Sequence, residues 1–96
     1  MEVFALCTSH FYTAFMIYGT IIIGLGAAGY TAAIYSARYK LTTLLIGGEE
    51  GGMGQTAAEV GNWPGDTEVR GPDLMERMQN HAKSFAEVTF KISWIK

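Results

Sequence analysis

A six-residue glycine pattern, Gly24-Leu25-Gly26-Ala27-Ala28-Gly29, stands between two unlike stretches and leaves few folds open to the chain. Before it, residues 20–23 form a block of β-branched residues running straight into glycine, which reads as a strand buried on both faces. After it, residues 27–39 hold five alanines and no proline and read as a helix. Residues 42–46 (TTLLI) read as a second buried strand. Strand, glycine turn, helix and parallel strand make a βαβ unit, so the expected class is α/β, a partial Rossmann-like domain.

Within that unit each glycine has a task. Gly24 permits the tight turn off the strand, Gly26 lets backbone approach a pyrophosphate with no Cβ in the way, and Gly29 lets the helix pack closely on the strand. The N–H groups of Ala27 and Ala28, with the helix dipole behind them, would face the phosphates. The usual companion is an acid about twenty residues on, at the end of the second strand, where it accepts from a ribose hydroxyl. Here that strand is followed by Gly47-Gly48-Glu49-Glu50, which offers Glu49. The same two carboxylates also read as solvated loop charges. The glycine motif alone does not separate FAD from NAD(P).

Residues 47–71 contain eight of the twelve glycines, and a structureless loop that long in a small domain must wrap something or be disordered. Within it, Asn62-Trp63-Pro64-Gly65-Asp66 suits a type II turn with Pro64 and Gly65 at its centre. Gly71-Pro72-Asp73 opens a second helix over residues 72–86, where Leu74, Met78, Ala82 and Phe85 share one face. Residues 88–95 alternate, with Val88, Phe90, Ile92 and Trp94 against Thr89, Lys91 and Ser93, and read as a third strand with one wetter face.

Charge bounds the remaining classes. The 96 residues carry a net charge of −2, which gives no basic footprint for nucleic acid. One cysteine, Cys7, excludes a disulfide framework and any two-cysteine redox pair inside these residues. His10 and His81 have no ligand-spaced cysteine or carboxylate, so no metal site is expected. Residues 3–37 hold no Asp, Glu, Lys or Arg. That run raises the alternative of a non-catalytic interaction or membrane-associated small protein that docks through residues 4–23. Its glycines, its polar residues and the lack of a positive flank argue against a membrane segment. Residues 1–18 show no clear pattern and read either as an N-terminal extension or as an N-terminal helix before a domain over residues 19–96.

Four blocks carry a resemblance: GYTAAIYSAR from Gly29, GGEEGG from Gly47, AEVGNWPGD from Ala58 and GPDLMERM from Gly71. In order and spacing they are similar to the N-terminal FAD-binding segment of low-molecular-weight thioredoxin reductases, over residues 18–88. The resemblance implies that the glycine turn holds the FAD pyrophosphate and that the loop after the second strand covers ribitol and adenosine. It also places the turn asparagine near the isoalloxazine. By position, Gly24, Gly26, Ala27, Ala28, Glu49, Gly52 and Asn62 would take those roles, with Met53, Gly54 and Val60 as neighbours. The chain departs from the family where GGMG replaces the usual G-G-Q-L, and where one residue is missing just after the second strand.

The NADPH domain of the family, its cysteine pair and its C-terminal return to the FAD domain have no counterpart in these residues. The resemblance thus implies a cytoplasmic flavoprotein fragment whose partners are FAD and either a complementary oxidoreductase chain or a second copy. NADPH belongs to the full-length family only, and this chain alone is expected to be inactive.

Overall fold

The computed structural model describes residues 17–94. The first sixteen residues, with Cys7 and His10 and most of the charge-free run, lie outside the described residues, as do Ile95 and Lys96. The described chain runs β1 (Thr20–Leu25), α1 (Ala27–Arg38), β2 (Thr43–Glu50), α2 (Gly52–Thr56), α3 (Gly71–Lys83) and β3 (Val88–Ile92). The three strands form one sheet in the order β1-β2-β3, and both pairings are parallel. Parallel neighbours need long crossovers, and the two helical segments supply them. This is a partial Rossmann-like α/β fold.

β2 is the central strand, with Ile23 opposite Ile46 on one side and Leu45 opposite Phe90 on the other. α1 and α3 pack on each other and against the sheet. Their shared core joins Tyr30 and Ala33 of α1, Leu45 of β2, and Leu74, Met75, Met78 and Ala82 of α3. One departure follows from this single layer of helices. β1 was expected to be buried on both faces, yet Ile21 is 46% and Ile23 64% exposed. Ile22 packs against the core while its neighbours face away, because side chains alternate along a strand.

α1 ends in a tight reversal. Lys40 takes φ 64°, and the Leu41 N–H reaches back to the Ser36 carbonyl (3.2 Å) while Lys40 N–H bonds Ala37 (2.8 Å). This is the hydrogen-bond pattern of a Schellman motif, with lysine at the left-handed position that glycine usually takes. The turn delivers Thr43, which is fully buried, beside Ser36. Thr43 Oγ1 donates to the Leu41 carbonyl (2.9 Å), so its short contact with Ser36 Oγ (2.7 Å) is a bond that Ser36 donates. Both buried hydroxyls are satisfied, and they fix where α1 stops and β2 begins.

The long glycine-rich connection is more ordered than a structureless loop. β2 runs on to Glu50, α2 follows, and Val60 and Val69 exchange two backbone bonds (2.7 and 3.0 Å) that close the segment between them. Inside that closure the Asp66 N–H bonds the Trp63 carbonyl (3.2 Å) with Gly65 at φ 106°, as a type II turn requires. Arg77 of α3 pins the turn through Asp66 at 2.8 Å.

α3 begins at Gly71 and stops at Lys83, short of the expected residue 86, because Ser84 caps back to the His81 carbonyl (2.7 Å) and the chain turns into β3. The expected apolar face is there in Leu74, Met78 and Ala82, joined by Met75, while Phe85 is half-buried. β3 alternates only through Val88 and Phe90. Ile92 at 53% and Trp94 at 69% exposure lie where the helices no longer cover the sheet. No helix among the described residues is long and apolar enough to cross a membrane.

Candidate dinucleotide-binding site

The glycine turn sits at the end of β1 where the parallel register breaks. Up to Ile23 each residue faces its β2 partner in step, but Leu25 lies opposite Glu50. The slip brings the β2 end and its following glycines against the turn, and the Gly51 N–H bonds the Leu25 carbonyl. Gly24 takes φ 133°, a conformation that side chains rarely adopt. A Cβ on Gly29 would collide with the Gly24 carbonyl, so α1 rests on the turn at backbone distance.

The second glycine run forms the opposite side. Gly51 and Gly52 take φ 85° and 51°, and a Cβ on Gly52 would come within 3.3 Å of the Gly26 Cα. Backbone therefore faces backbone across Gly26 and Gly52, leaving room that side chains would fill. α1 opens from Gly26 with no side-chain cap and no acid in its first turn, and Ala27 and Ala28 are exposed. Its first N–H groups have no acceptor within the helix, and the positive end of the helix dipole lies at the same place.

Beside this cradle is a cavity of about 580 Å³ lined by Tyr30, Glu49, Glu50 and Gly51 on one side and Asp73, Met75, Glu76 and Gln79 of α3 on another. Four carboxylates and no Lys or Arg line it, so a phosphate is disfavoured inside while a hydroxyl-bearing group finds acceptors. One acceptor is fixed: Gln79 Nε2 donates to Glu50 Oε2 at 2.7 Å. Tyr30 is 1% exposed. Burial pushes its hydroxyl above the usual range, a hydrogen bond from the Gly51 backbone pulls it back, and the Glu50 charge raises it again.

The candidate residues fall in several places. Gly24, Gly26, Ala27, Ala28 and Gly52 meet at the cradle, and Glu49 lines the adjoining cavity. Met53 is 89% exposed on α2, while Gly54 faces inward and packs against Met75. Val60 packs against the core. Asn62 is apart, lining an open cavity of about 460 Å³ formed by its own turn. Sequence reasoning missed Tyr30, Glu50 and Gln79. Gln79 had a signal, since Pro72, Met75, Glu76 and Gln79 recur at the spacing of one helix face. Glu50 had none, because only the register slip tells it from Glu49.

No protein-family profile matches the chain. Individual proteins do. Thioredoxin reductase from Vibrio cholerae is 52% identical over 73 residues, which is 73% of this chain and 23% of that protein. The structure of T. acidophilum thioredoxin reductase superposes with a TM-score of 0.73 and 28% identity, over 78% of this chain and 24% of that one. The chain matches a segment of the thioredoxin reductases. It spans about a quarter of the length of these thioredoxin reductases. A protein named glucosaminate ammonia-lyase, from Pseudomonas fluorescens, is 53% identical over the same length. The segment is thus shared by thioredoxin reductases and by a protein that carries another name.

Proposed function

We propose that this thioredoxin-reductase-like segment, residues 19–96, is an FAD-binding unit that holds the cofactor by its pyrophosphate. The observation that carries the reading is the backbone-only cradle, in which Gly26 meets Gly51 and Gly52 beside the uncapped start of α1. Its shape fits a group that needs close backbone approach and N–H donors, and the glycines leave the space that a Cβ would fill. Gly24, Gly26, Ala27, Ala28 and Gly52 would hold the phosphates, and Glu49 and Glu50 would accept from ribose hydroxyls. Asn62 on its separate turn, with Met53, Gly54 and Val60, would serve the flavin side. FAD is preferred to NAD(P) because the likeness to thioredoxin reductases includes the NWPGD and GPDLMERM blocks, which lie beyond the shared glycine motif.

When bound, the flavin supplies hydride and electron transfer. The residues of this chain bind and orient it. Disulfide reduction would also need a nicotinamide site and a cysteine pair, and the sequence has one cysteine. By this reading the chain alone has no reductase turnover and binds FAD weakly, and it acts with a complementary oxidoreductase chain or a second copy, in the cytoplasm. The test is flavin absorbance retained by the purified chain after desalting, with and without added FAD. Weak, reversible retention that disappears in Gly26→Val is expected. Retention unchanged by Gly26→Val would sink the cradle, and a stoichiometric, tightly held flavin would sink the need for a partner.

A further inference from the structure

A second cavity, of about 430 Å³, lies between α1 and α3 on residues that the nucleotide reading does not use. Thr31, Ile34, Tyr35 and Arg38 of α1 line one side, Met78 and His81 of α3 the other, and Trp63 closes it from the type II turn. Its walls are mainly aliphatic, aromatic and thioether, the kind of surface that takes a flat apolar ring. Its charged member is distinctive. Among the described residues, Arg70 is paired with Asp73 and Arg77 with Asp66, whereas Arg38 makes no ion pair. An unpaired guanidinium on an apolar cavity is a ready partner for a carboxylate, which it can grip with two parallel N–H bonds. No carboxylate lines this cavity, in contrast to the acidic one beside the glycine turn.

We propose that this cavity is a binding site for a small aromatic monocarboxylate of one or two fused rings, with the ring between Tyr35, Trp63 and Met78 and the carboxylate on Arg38. Charge selects the class: a neutral arene leaves the guanidinium unused, and an aromatic cation is repelled by it. The size suits a compact ligand, since the cavity stands near the lower end of the range for small-molecule sites. The proposal is independent of FAD, because none of these residues belongs to the cradle or its acidic neighbour.

The probe is 2-naphthoate, titrated into the full chain without flavin. Binding is followed by calorimetry and by the NMR shift of the Trp63 indole N–H, assigned with a Trp94→Phe variant. Saturable one-to-one binding that moves the Trp63 signal is expected, with 2-naphthalenemethanol, a neutral analogue of similar shape, at least tenfold weaker. Arg38→Gln should weaken naphthoate about tenfold and leave the alcohol unchanged, and Arg38→Lys should restore part of the loss. Arg38 is exposed, so these variants keep the core intact. Equal affinity for acid and alcohol would overturn the proposal, as would a Trp63 signal that does not respond or an Arg38→Gln variant that binds as before. Self-association that buries Tyr35 and abolishes the Trp63 response would also overturn it, by showing that a second copy covers this surface.

Discussion

At the scale of single residues, the two groups that say most are a lysine and a tyrosine. Lys40 closes α1 in the left-handed region, a conformation that costs a side chain about 1–2 kcal/mol and costs glycine little. Its ion pair with Glu87 is long (3.8 Å), and its own side chain is 82% exposed, so little is lost with it. Lys40→Gly should therefore raise stability by about 1 kcal/mol in urea unfolding, and a loss instead would mean that the Glu87 contact outweighs the backbone cost. Gly51 is the opposite case. It holds φ 85°, and a Cβ there would meet the Gln55 side chain, so Gly51→Ala should destabilise by about 1–2 kcal/mol.

Tyr30 gives a pH signature. Its folded pKa is raised above the ordinary value of 10.0, chiefly by burial, so the folded state holds the phenolic proton more tightly than the unfolded chain. The stability that this preserves is complete below pH 10 and is lost as pH rises through the folded value. Denaturant midpoints should be insensitive to Tyr30 at pH 7–9 and fall at higher pH, with a smaller alkaline fall in Tyr30→Phe. An identical alkaline fall in both proteins would remove Tyr30 as its source.

At the scale of elements, α3 holds the site together. Met75 is 4% exposed, packs on Gly54 and lines the acidic cavity, so it joins the crossover from β2 to the core. Met75→Ala should cost about 2–5 kcal/mol, against less than about 1.5 for Met75→Leu. In a chain this small the alanine variant is expected to lose cooperative thermal unfolding by circular dichroism, while the leucine variant keeps it.

The same elements show what could be read in advance. α1, the core of α3 and all three strands follow from period and composition, because their patterns are local. The short α2 does not: Gly-Met-Gly-Gln-Thr is a poor helix former, and it is held by packing on α3. Nor does the continuation of β2 through Gly47 and Gly48, which are tolerated because Leu25 and Trp94 lie against positions where a Cβ would intrude. The exposed side of Ile21 and Ile23 was misread because β-branched runs look alike whether one face of a sheet or both are covered.

At the scale of the molecule, two glycine runs 22 residues or more apart in sequence are brought face to face by one register slip at the end of β1. The turn at Gly24 was legible in the sequence as a tight turn off a strand with a helix packed closely on it. Opposite it, Gly52 was legible only as a place in a resembling family, while Gly51 and Glu50 with its Gln79 bond were not legible at all. The proposed function asks the cradle to recognise a pyrophosphate and the acidic cavity beside it to recognise sugar hydroxyls. The most direct test is a competition measurement, in which FAD fluorescence reports binding to the full chain while ADP or riboflavin is added. ADP is expected to displace FAD, and riboflavin, which has no phosphate, is expected not to. Displacement by riboflavin, with ADP ineffective, would overturn the phosphate cradle.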